Sequence, residues 1–327
     1  MNSSTEKKAK RIRLSLRGLL IFVVLFVCVS GWYMNRVHEQ RKAVHWVKKN
    51  GGTITYAYQR ENPNAKNPIP SWIVNILGQD FFSTVIQVDL GGTGITELEP
   101  LGKLNKLEVA YLQYNPLNDI TPLAKLKNLE VLRLESTDET QIDDISALSG
   151  LTKLRLLLLR GNQIHDLSPL SKLTHLENLW IADTQVDDLE PLSGLPRLKS
   201  LNLDNTSVAD LSPLKELGEL QVLQLSNTQV HDLSPLKNLT KLEDLRFDGA
   251  PVDDVSELAR LKSLKWLVLH KTNVKDVEPL KDLESLTFLE LGGLEINEEQ
   301  LDLLRKSLSP ECSINTEPVI DRTRLDH

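Results

Sequence analysis

Aspartate residues recur at regular intervals along the chain. Their carboxylates are the first group of side chains in the sequence that could take part in chemistry. A strip of carboxylates could bind a hard cation such as Ca²⁺, but that ion needs about six to eight converging oxygens and one carboxylate per repeat does not converge. We therefore expect each aspartate to accept a backbone N–H at a turn. The residues are Asp119, Asp144, Asp166, Asp188, Asp210, Asp232, Asp254 and Asp276.

Other residue patterns also argue against catalysis. His165 and His231 share one position but lie three spacings apart, too far to bind one ion. The segment Gly91–Gly94 resembles a phosphate-binding loop, but no Lys-Ser/Thr follows it. The chain has no Gly-x-Ser-x-Gly, no His-Glu-x-x-His and no paired-cysteine spacing, and we find no carboxylate pair placed for glycan hydrolysis. We predict no catalytic residue, no cofactor, no metal site, and a protein that is not an enzyme.

Composition and charge narrow the classes of partner. Of 327 residues, 40% are hydrophobic and 25% are charged, as in folded proteins. Residues 1–34 hold six Lys/Arg and one Asp/Glu, which leaves 32 basic and 44 acidic residues in the remainder. A body this acidic is a poor match for nucleic acid, so we expect none. The two cysteines, Cys28 and Cys312, exclude a disulfide framework.

From Leu104 onward the sequence repeats every 22 residues, for example from Leu151 to Leu173. Gapless copies begin at Leu151, Leu173, Leu195, Leu217, Leu239 and Leu261; an earlier copy begins at Leu104, and the copy from Leu126 has three extra residues around 138–140. Partial copies precede and follow these, which predicts ten strands. A repeat of this length is typical of a solenoid, in which stacked units share one core.

Each unit predicts its own local structure. In Leu157-x-Leu159 the apolar side chains point to one face, as in a short strand. A following Ser-Pro pair, such as Ser168-Pro169, predicts an N-cap and first helical residue. Between these lies a column of Thr or Asn that we expect to bond the buried backbone: Thr93, Asn115, Thr137, Asn162, Thr184, Thr206, Thr228 and Thr272. Only a short turn of 3₁₀ or α helix fits before the next unit.

The pattern L-x-x-L-x-L-x-x-[NT]-x-[IV]-x-D-[LV]-x-P-L resembles the leucine-rich repeats of the 22-residue class. That class occurs in bacterial internalins and in a eukaryotic phosphatase-1 regulator, and the resemblance covers about residues 82–306. It implies an α/β solenoid with a parallel β-sheet on the concave face and short 3₁₀ or α turns on the convex face. The whole chain resembles membrane-anchored or exported bacterial proteins of this kind.

The residues that alternate with the core leucines point to the concave face and are the candidates for binding. An apolar and aromatic patch edged by arginine is where binding energy concentrates. We predict ligand binding by Tyr111, Arg133, Leu158, Arg160 and Trp180, of which all but Arg160 should be successive entries in one column. Their plain alternative is an ordinary solvent-facing surface, or contact with a cap or a second copy.

An uncharged segment at residues 18–34 predicts one transmembrane helix. Seventeen residues span roughly 25 Å as a helix, the lower limit for a bilayer core of about 30 Å. Basic residues precede it and Trp32 and Tyr33 end it, as in a signal-anchor with a cytoplasmic N-terminus. The small residues of Val27–Gly31 leave a cleaved signal peptide, and hence secretion, as the alternative. Both place the rest of the chain outside the cytoplasm.

The predicted organisation is therefore a basic cytoplasmic tail at 1–17, the span at 18–34, an N-terminal cap at 35–81, repeats at 82–306 and a C-terminal cap and tail at 307–327. The cap should contain a helix at 36–50, a strand at 53–58 and a short helix at 71–78. We predict a non-catalytic, membrane-anchored protein that binds a protein partner. The alternative, implied by the phosphatase regulator, is a regulatory subunit or scaffold of a cytoplasmic enzyme, which the topology of the chain would distinguish.

Overall fold

A computed structural model describes residues 16–136 and 141–317. The expectations for the basic tail up to residue 15, for Thr137 and the insertion at 138–140, and for the tail from 318 lie outside these residues. Within these residues the α-helices are α1 (Leu16–Lys49), α2 (Ser71–Leu77) and α3 (Glu298–Ser307). The strands are β1 (Thr53–Tyr56), β2 (Val85–Asp89), β3 (Val109–Tyr111), β4 (Val131–Arg133), β5 (Leu156–Leu158), β6 (Asn178–Trp180), β7 (Ser200–Asn202), β8 (Val222–Gln224), β9 (Asp244–Arg246), β10 (Trp266–Val268), β11 (Phe288–Glu290) and β12 (Ser313–Asn315).

All twelve strands form one sheet in chain order. The strands β2 to β11 are the ten predicted from the repeat, and they pair in parallel with a constant register, as in Leu157 opposite Leu179. The cap strand β1 pairs antiparallel with β2, and β12 pairs in parallel with β11. Each end of the repeat sheet is thus covered by a strand of the adjacent cap. These strands pair the backbone N–H and C=O groups that the end of a solenoid would otherwise expose.

The leucine columns fill the space between the sheet and the convex turns. In one unit, the seven recurring apolar positions are all at most 1% exposed: Leu151, Leu154, Leu157, Leu159, Ile164, Leu167 and Leu170. The convex side consists of 3₁₀ turns of three to five residues, such as Ser168–Leu170 and Ser234–Asn238. The predicted solenoid of a parallel sheet and short convex turns is confirmed.

The Thr and Asn column bonds the backbone that bends inward after each strand, as predicted. The hydroxyls of Thr184, Thr206 and Thr228 donate to the carbonyl three residues earlier at 2.6–2.7 Å. The amide of Asn162 spans two units, because its Nδ2 donates to Leu134 O at 2.9 Å and to Leu159 O at 2.8 Å. These bonds satisfy carbonyls that would otherwise be buried without a partner.

The predicted serine N-cap is wrong. In the turn Ser168–Leu170 the cap is Leu167, and Ser168 is already the first helical residue. Asp166 takes the capping role instead, since its Oδ1 accepts the backbone N–H of Ser168 at 2.8 Å. The turn begins at Ser168 itself, so the Ser168 side chain does not precede the helix as an N-cap would. The free N–H of Ser168 is instead bonded by the side chain of Asp166, two residues earlier.

Helix α1 joins the predicted span and the predicted cap helix into one element of 34 residues. Among the described residues it is the one helix long and apolar enough to cross a membrane by length and composition. Its side chains from Leu19 to Val29 are exposed, whereas Val44 and Val47 are buried in the core. The helix ends shortly before Gly51, whose φ of +79° glycine adopts without a steric penalty.

Candidate functional site

The three-residue strands place side chains on two sides of the sheet. The middle residue of each repeat strand points into the core and the residues on either side point to the concave face, as the burial of Leu179 between half-buried Asn178 and exposed Trp180 illustrates. Because the register is constant, the outward positions stack into columns about 4.8 Å apart along the sheet. The outward side chains of the concave face therefore form a regular grid, in which each repeat contributes one residue to each column.

Four of the five residues predicted to bind a ligand are successive entries in one column. Tyr111 lies opposite Arg133, Arg133 opposite Leu158, and Leu158 opposite Trp180. Trp180 is 43% exposed, and its Nε1–H donates to Ser200 Oγ at 3.3 Å. Leu158 differs from the expectation of an exposed apolar residue: it is only 7% exposed, since it lies between two large neighbours in the register. It therefore adds little exposed surface to the column.

Both arginines of this region are held by carboxylates. The Nε and Nη2 groups of Arg133 donate to Glu135 Oε1 at 3.0 and 2.6 Å, and its guanidinium lies 6.0 Å from the ring centre of Tyr111. Arg160 lies in the next column and donates to Asp183 Oδ2 at 2.6 Å. The arginines are thus held in place, and the exposed one, Arg160, keeps donors for a ligand. We call Tyr111, Arg133, Leu158, Arg160 and Trp180 the N-terminal cluster.

A second aromatic cluster lies further along the same face. Trp266 on β10 stacks on Phe288 on β11 with ring centres 4.2 Å apart, and Arg246 lies 5.8 Å from the centre of the Trp266 ring. Arg246 is fixed by Asp244, to which its Nε and Nη2 donate at 3.0 and 2.8 Å. Trp266 is 39% exposed. We call Arg246, Trp266 and Phe288 the C-terminal cluster.

The C-terminal cluster was not predicted from the sequence, although the sequence carries a signal for it. Trp266 and Phe288 are separated by one repeat length, so they occupy the same repeat position on neighbouring strands and must meet. Arg246 ends the strand before that of Trp266 and is its diagonal neighbour in the grid. A search for aromatic and arginine residues separated by one repeat, or by slightly less, would have found the cluster.

The surface between the clusters is polar and acidic. Ser226 donates its backbone N–H to Asp204 Oδ1 and its hydroxyl to Asp248 Oδ1, both at 2.7 Å. Burial raises the pKa of the Asp204 carboxyl above its usual value, and the nearby Asp248 acts in the same direction. Asn202 donates to Gln224 across the adjacent strands. This stretch favours a partner that brings hydrogen-bond donors or positive charge.

Three polar atoms of one concave column are buried with no hydrogen-bond partner among the described residues. They are Gln113 Oε1, Glu135 Oε2 and His270 Nδ1. Gln113 and Glu135 occupy the same position of neighbouring units, and His270 shares that position six units beyond Glu135. Buried polar groups are normally hydrogen-bonded, so these three atoms keep unused bonding capacity along this column.

The repeated aspartates lie at the turns before the convex helices and bond the backbone there. Each accepts the N–H of the residue two positions later at 2.7–2.9 Å, which confirms the structural role predicted for them. Over the described residues, no three His, Cys, Asp or Glu side chains converge as metal ligands. These aspartates therefore bond the backbone of their own turns and form no shared ligand set among the described residues.

We expect the free energy of unfolding to fall at acidic pH through these aspartates. Hydrogen bonds from the side chain and amide two residues later lower the pKa of Asp119, Asp166 and Asp210 below the usual 3.8; at Asp232 the amide contributes most. A lowered folded-state pKa stabilises the protein above the unfolded value, and this contribution is lost as the pH falls through the folded values. Urea unfolding at decreasing pH measures the effect.

The matched control replaces these four aspartates with asparagine. Asparagine keeps an oxygen that can accept the amide N–H but does not titrate. The unfolding free energy of this variant should therefore depend less on pH in the acidic range. A variant with the same acid slope as the original chain would assign the pH dependence to other carboxylates.

Comparison with known proteins agrees with this architecture. The family model for leucine-rich repeats in two copies matches residues 105–150, 152–194 and 174–216. Among solved structures, an internalin (InlF) from Listeria monocytogenes is 28% identical with a TM-score of 0.59, over 75% of this chain and 80% of that one. A leucine-rich repeat protein from Leptospira interrogans is 25% identical with a TM-score of 0.61, over 67% of this chain and 57% of that one.

More distant structures share the fold. The repeat ectodomain of a membrane receptor kinase from Arabidopsis thaliana, solved in complex with CASPARIAN STRIP INTEGRITY FACTOR 2, is 21% identical with a TM-score of 0.61, over 81% of this chain and 34% of that one. Among curated proteins, no sequence matches this chain.

Proposed function

We propose that this chain, which belongs to the leucine-rich repeat proteins, is a non-catalytic, membrane-anchored protein that binds a protein partner on its concave face outside the cytoplasm. The observation that carries the proposal is the pair of exposed tryptophans, Trp180 and Trp266, on one face of the sheet. A large exposed ring adds nothing to the solubility of a surface, whereas Trp is enriched among residues that dominate binding energy. The Trp266 ring lies beside Arg246, which Asp244 holds in place.

The geometry supports a partner that spans both clusters. Trp180 is on β6 and Trp266 on β10, so four strand spacings of about 4.8 Å separate them by roughly 19 Å. That distance suits the centre of a protein interface of standard size more than a small molecule. The acidic surface between the clusters, with Asp204 and Asp248, favours a partner segment that carries Lys or Arg between apolar anchors.

A capture experiment with the fragment from residue 35 to 327 tests the proposal. This fragment keeps Val44 and Val47, which pack on the core. Val222 lies between the clusters on β8, so Val222→Arg should block the partner sterically, while Ser193→Arg on the convex side should not. A captured protein that both variants retain equally would place binding away from both positions, for example on the cap, and loss with Ser193→Arg alone would place it on the convex side.

We expect protease added to intact cells to remove the repeat region. The reason is the basic segment before the apolar helix, which favours a cytoplasmic N-terminus and an exported body. Digestion followed by detection of the C-terminal region measures the orientation. Full protection, or activity of a cytosolic reporter fused at the C-terminus, would instead favour the regulatory subunit of a cytoplasmic enzyme. The intact mass of the isolated chain separates an uncleaved anchor from a secreted form that lacks the signal peptide.

A further inference from the structure

Helix α2 exposes an apolar face that the concave binding site does not explain. Of its seven residues, Trp72 is 65%, Ile76 73% and Leu77 39% exposed. Trp72 and Ile76 are four residues apart and therefore share one side of the helix. Outside α1, the other large apolar side chains exposed in the described residues are Tyr114 and the two tryptophans of the concave face. Such a concentration on a short helix marks a contact surface.

The segment that begins with α2 is fixed to the side of α1 where the apolar run ends. The ring of Tyr33 packs edge-on against Phe81 with ring centres 5.3 Å apart, and its hydroxyl donates to the Phe81 carbonyl. Further along α1, the Arg41 guanidinium donates to the carbonyl of Leu77, the last residue of α2. Between these contacts, Gln40 Nε2 donates to Asp80 Oδ1 at 3.0 Å. The contacts hold the C-terminal end of α2 and the following turn alongside residues 33–41.

This position corresponds to the surface of a membrane that α1 would cross. The uncharged run of the sequence ends at Met34. The headgroup zone extends for about 5–8 Å beyond the hydrocarbon core, and residues 33–41 rise by about 12 Å as a helix. The turn with Phe81 and Phe82, beside Tyr33, therefore lies at the level of the interface. Arg41, which bonds the C-terminal end of α2, lies about 10 Å beyond Met34 along the helix, and its long side chain can reach back toward the headgroup zone. Aromatic side chains are enriched at that depth.

The charge difference between the cap and the repeats also favours contact of the cap with a membrane. Residues 35–81 hold seven Lys/Arg and three Asp/Glu, whereas residues 82–327 hold 25 and 41. A basic cap is attracted to anionic headgroups while the acidic repeats are repelled from them. The charge pattern thus orients the cap toward the lipid and the concave face away from it.

We propose that α2 and the turn at Phe81–Phe82 lie in the interfacial zone of an anionic membrane, as a second membrane contact beside α1. This proposal rests on the proposed membrane anchoring. A helix that lies in the interface buries its apolar face at the boundary between headgroups and acyl chains. Two contacts, the span and the cap, would fix the angle at which the solenoid stands on the membrane, which a single helix leaves free.

The test places a polarity-sensitive fluorophore on α2 of the full-length chain in vesicles that contain phosphatidylglycerol. Cys28 and Cys312 are replaced by serine, and a single cysteine is introduced by Ile76→Cys, where the exposed side chain tolerates a label. The control is Ser193→Cys, exposed on the convex side of the repeats. The label at 76 should show a blue-shifted emission and lose emission to a quencher attached to lipid acyl chains. The label at 193 should show neither change.

The outcomes separate this contact from the anchor. Flotation of the protein with the vesicles reports the anchor by itself. A chain that floats while the label at 76 behaves like the label at 193 overturns the contact and leaves the anchor intact. A blue-shifted label at 76 that lipid-borne quencher does not reach would mean that protein covers α2, which also overturns the contact. A chain that does not float overturns both.

Discussion

Replacing Leu201 with aspartate is expected to lower the free energy of unfolding by several kcal/mol. Leu201 is the middle residue of β7 and has no exposed surface, with Leu179 and Leu223 as its register neighbours. A carboxylate there would be buried without a partner. Because each unit rests on its neighbours, we also expect the loss to spread beyond one repeat and to broaden the transition. Thermal and urea unfolding of the purified variant measure both effects.

The matched control is Ser207→Asp, which adds the same charge in the same unit. Ser207 is exposed, and its backbone N–H bonds to Val186 O while its side chain faces solvent. Surface substitutions of this kind change stability by at most about 0.5 kcal/mol. An unchanged melting curve for Leu201→Asp would contradict the register of the sheet, since only a surface position tolerates the change.

The fold could be predicted because the repeat length determines the strands, their register and the length of the turns between them. Leu157-x-Leu159 defines the strand, the repeat length defines the register, and the chain left over allows only a short turn. The elements of the N-terminal cap were predictable, but the union of its first helix with the span was not. The uncharged run ends at Met34, yet a change of polarity does not end a helix, and the contact of Tyr33 with Phe81 depends on a distant segment.

The binding face was predictable in its columns but not in its exposure. Alternation shows that Leu158 points away from the core, yet its burial depends on the size of Arg133 and Trp180 beside it. The C-terminal cluster was missed because Trp266 and Phe288 are separated in the chain by an ordinary repeat. The serine cap was wrong because the geometry of a 3₁₀ turn, and not residue preference, decides which side chain reaches the free amide.

Replacing Trp180 with alanine is expected to reduce the free energy of binding to the partner by about 2 kcal/mol or more, which is roughly thirtyfold in affinity. The ring points off the core, and its one hydrogen bond, to Ser200 at 3.3 Å, leaves a hydroxyl that water can satisfy. Folding should therefore be nearly unchanged. Gln224→Ala, in the same column two strands further on, is the control and should have a small effect. Equal and negligible losses from both changes would mean that the N-terminal cluster is ordinary surface.

Combining Trp180→Ala with Trp266→Ala shows whether one partner spans both clusters. The two rings are roughly 19 Å apart, beyond the distance at which neighbouring substitutions influence each other, so their effects should add. If each ring anchors the same partner, the double variant should lose about 4 kcal/mol, on the order of a thousandfold in affinity. A double variant that binds no worse than Trp180→Ala would confine the interface to the N-terminal cluster. The stacked pair of Trp266 and Phe288 would then serve the stability of the last repeats, measurable as a lower melting temperature for Trp266→Ala alone.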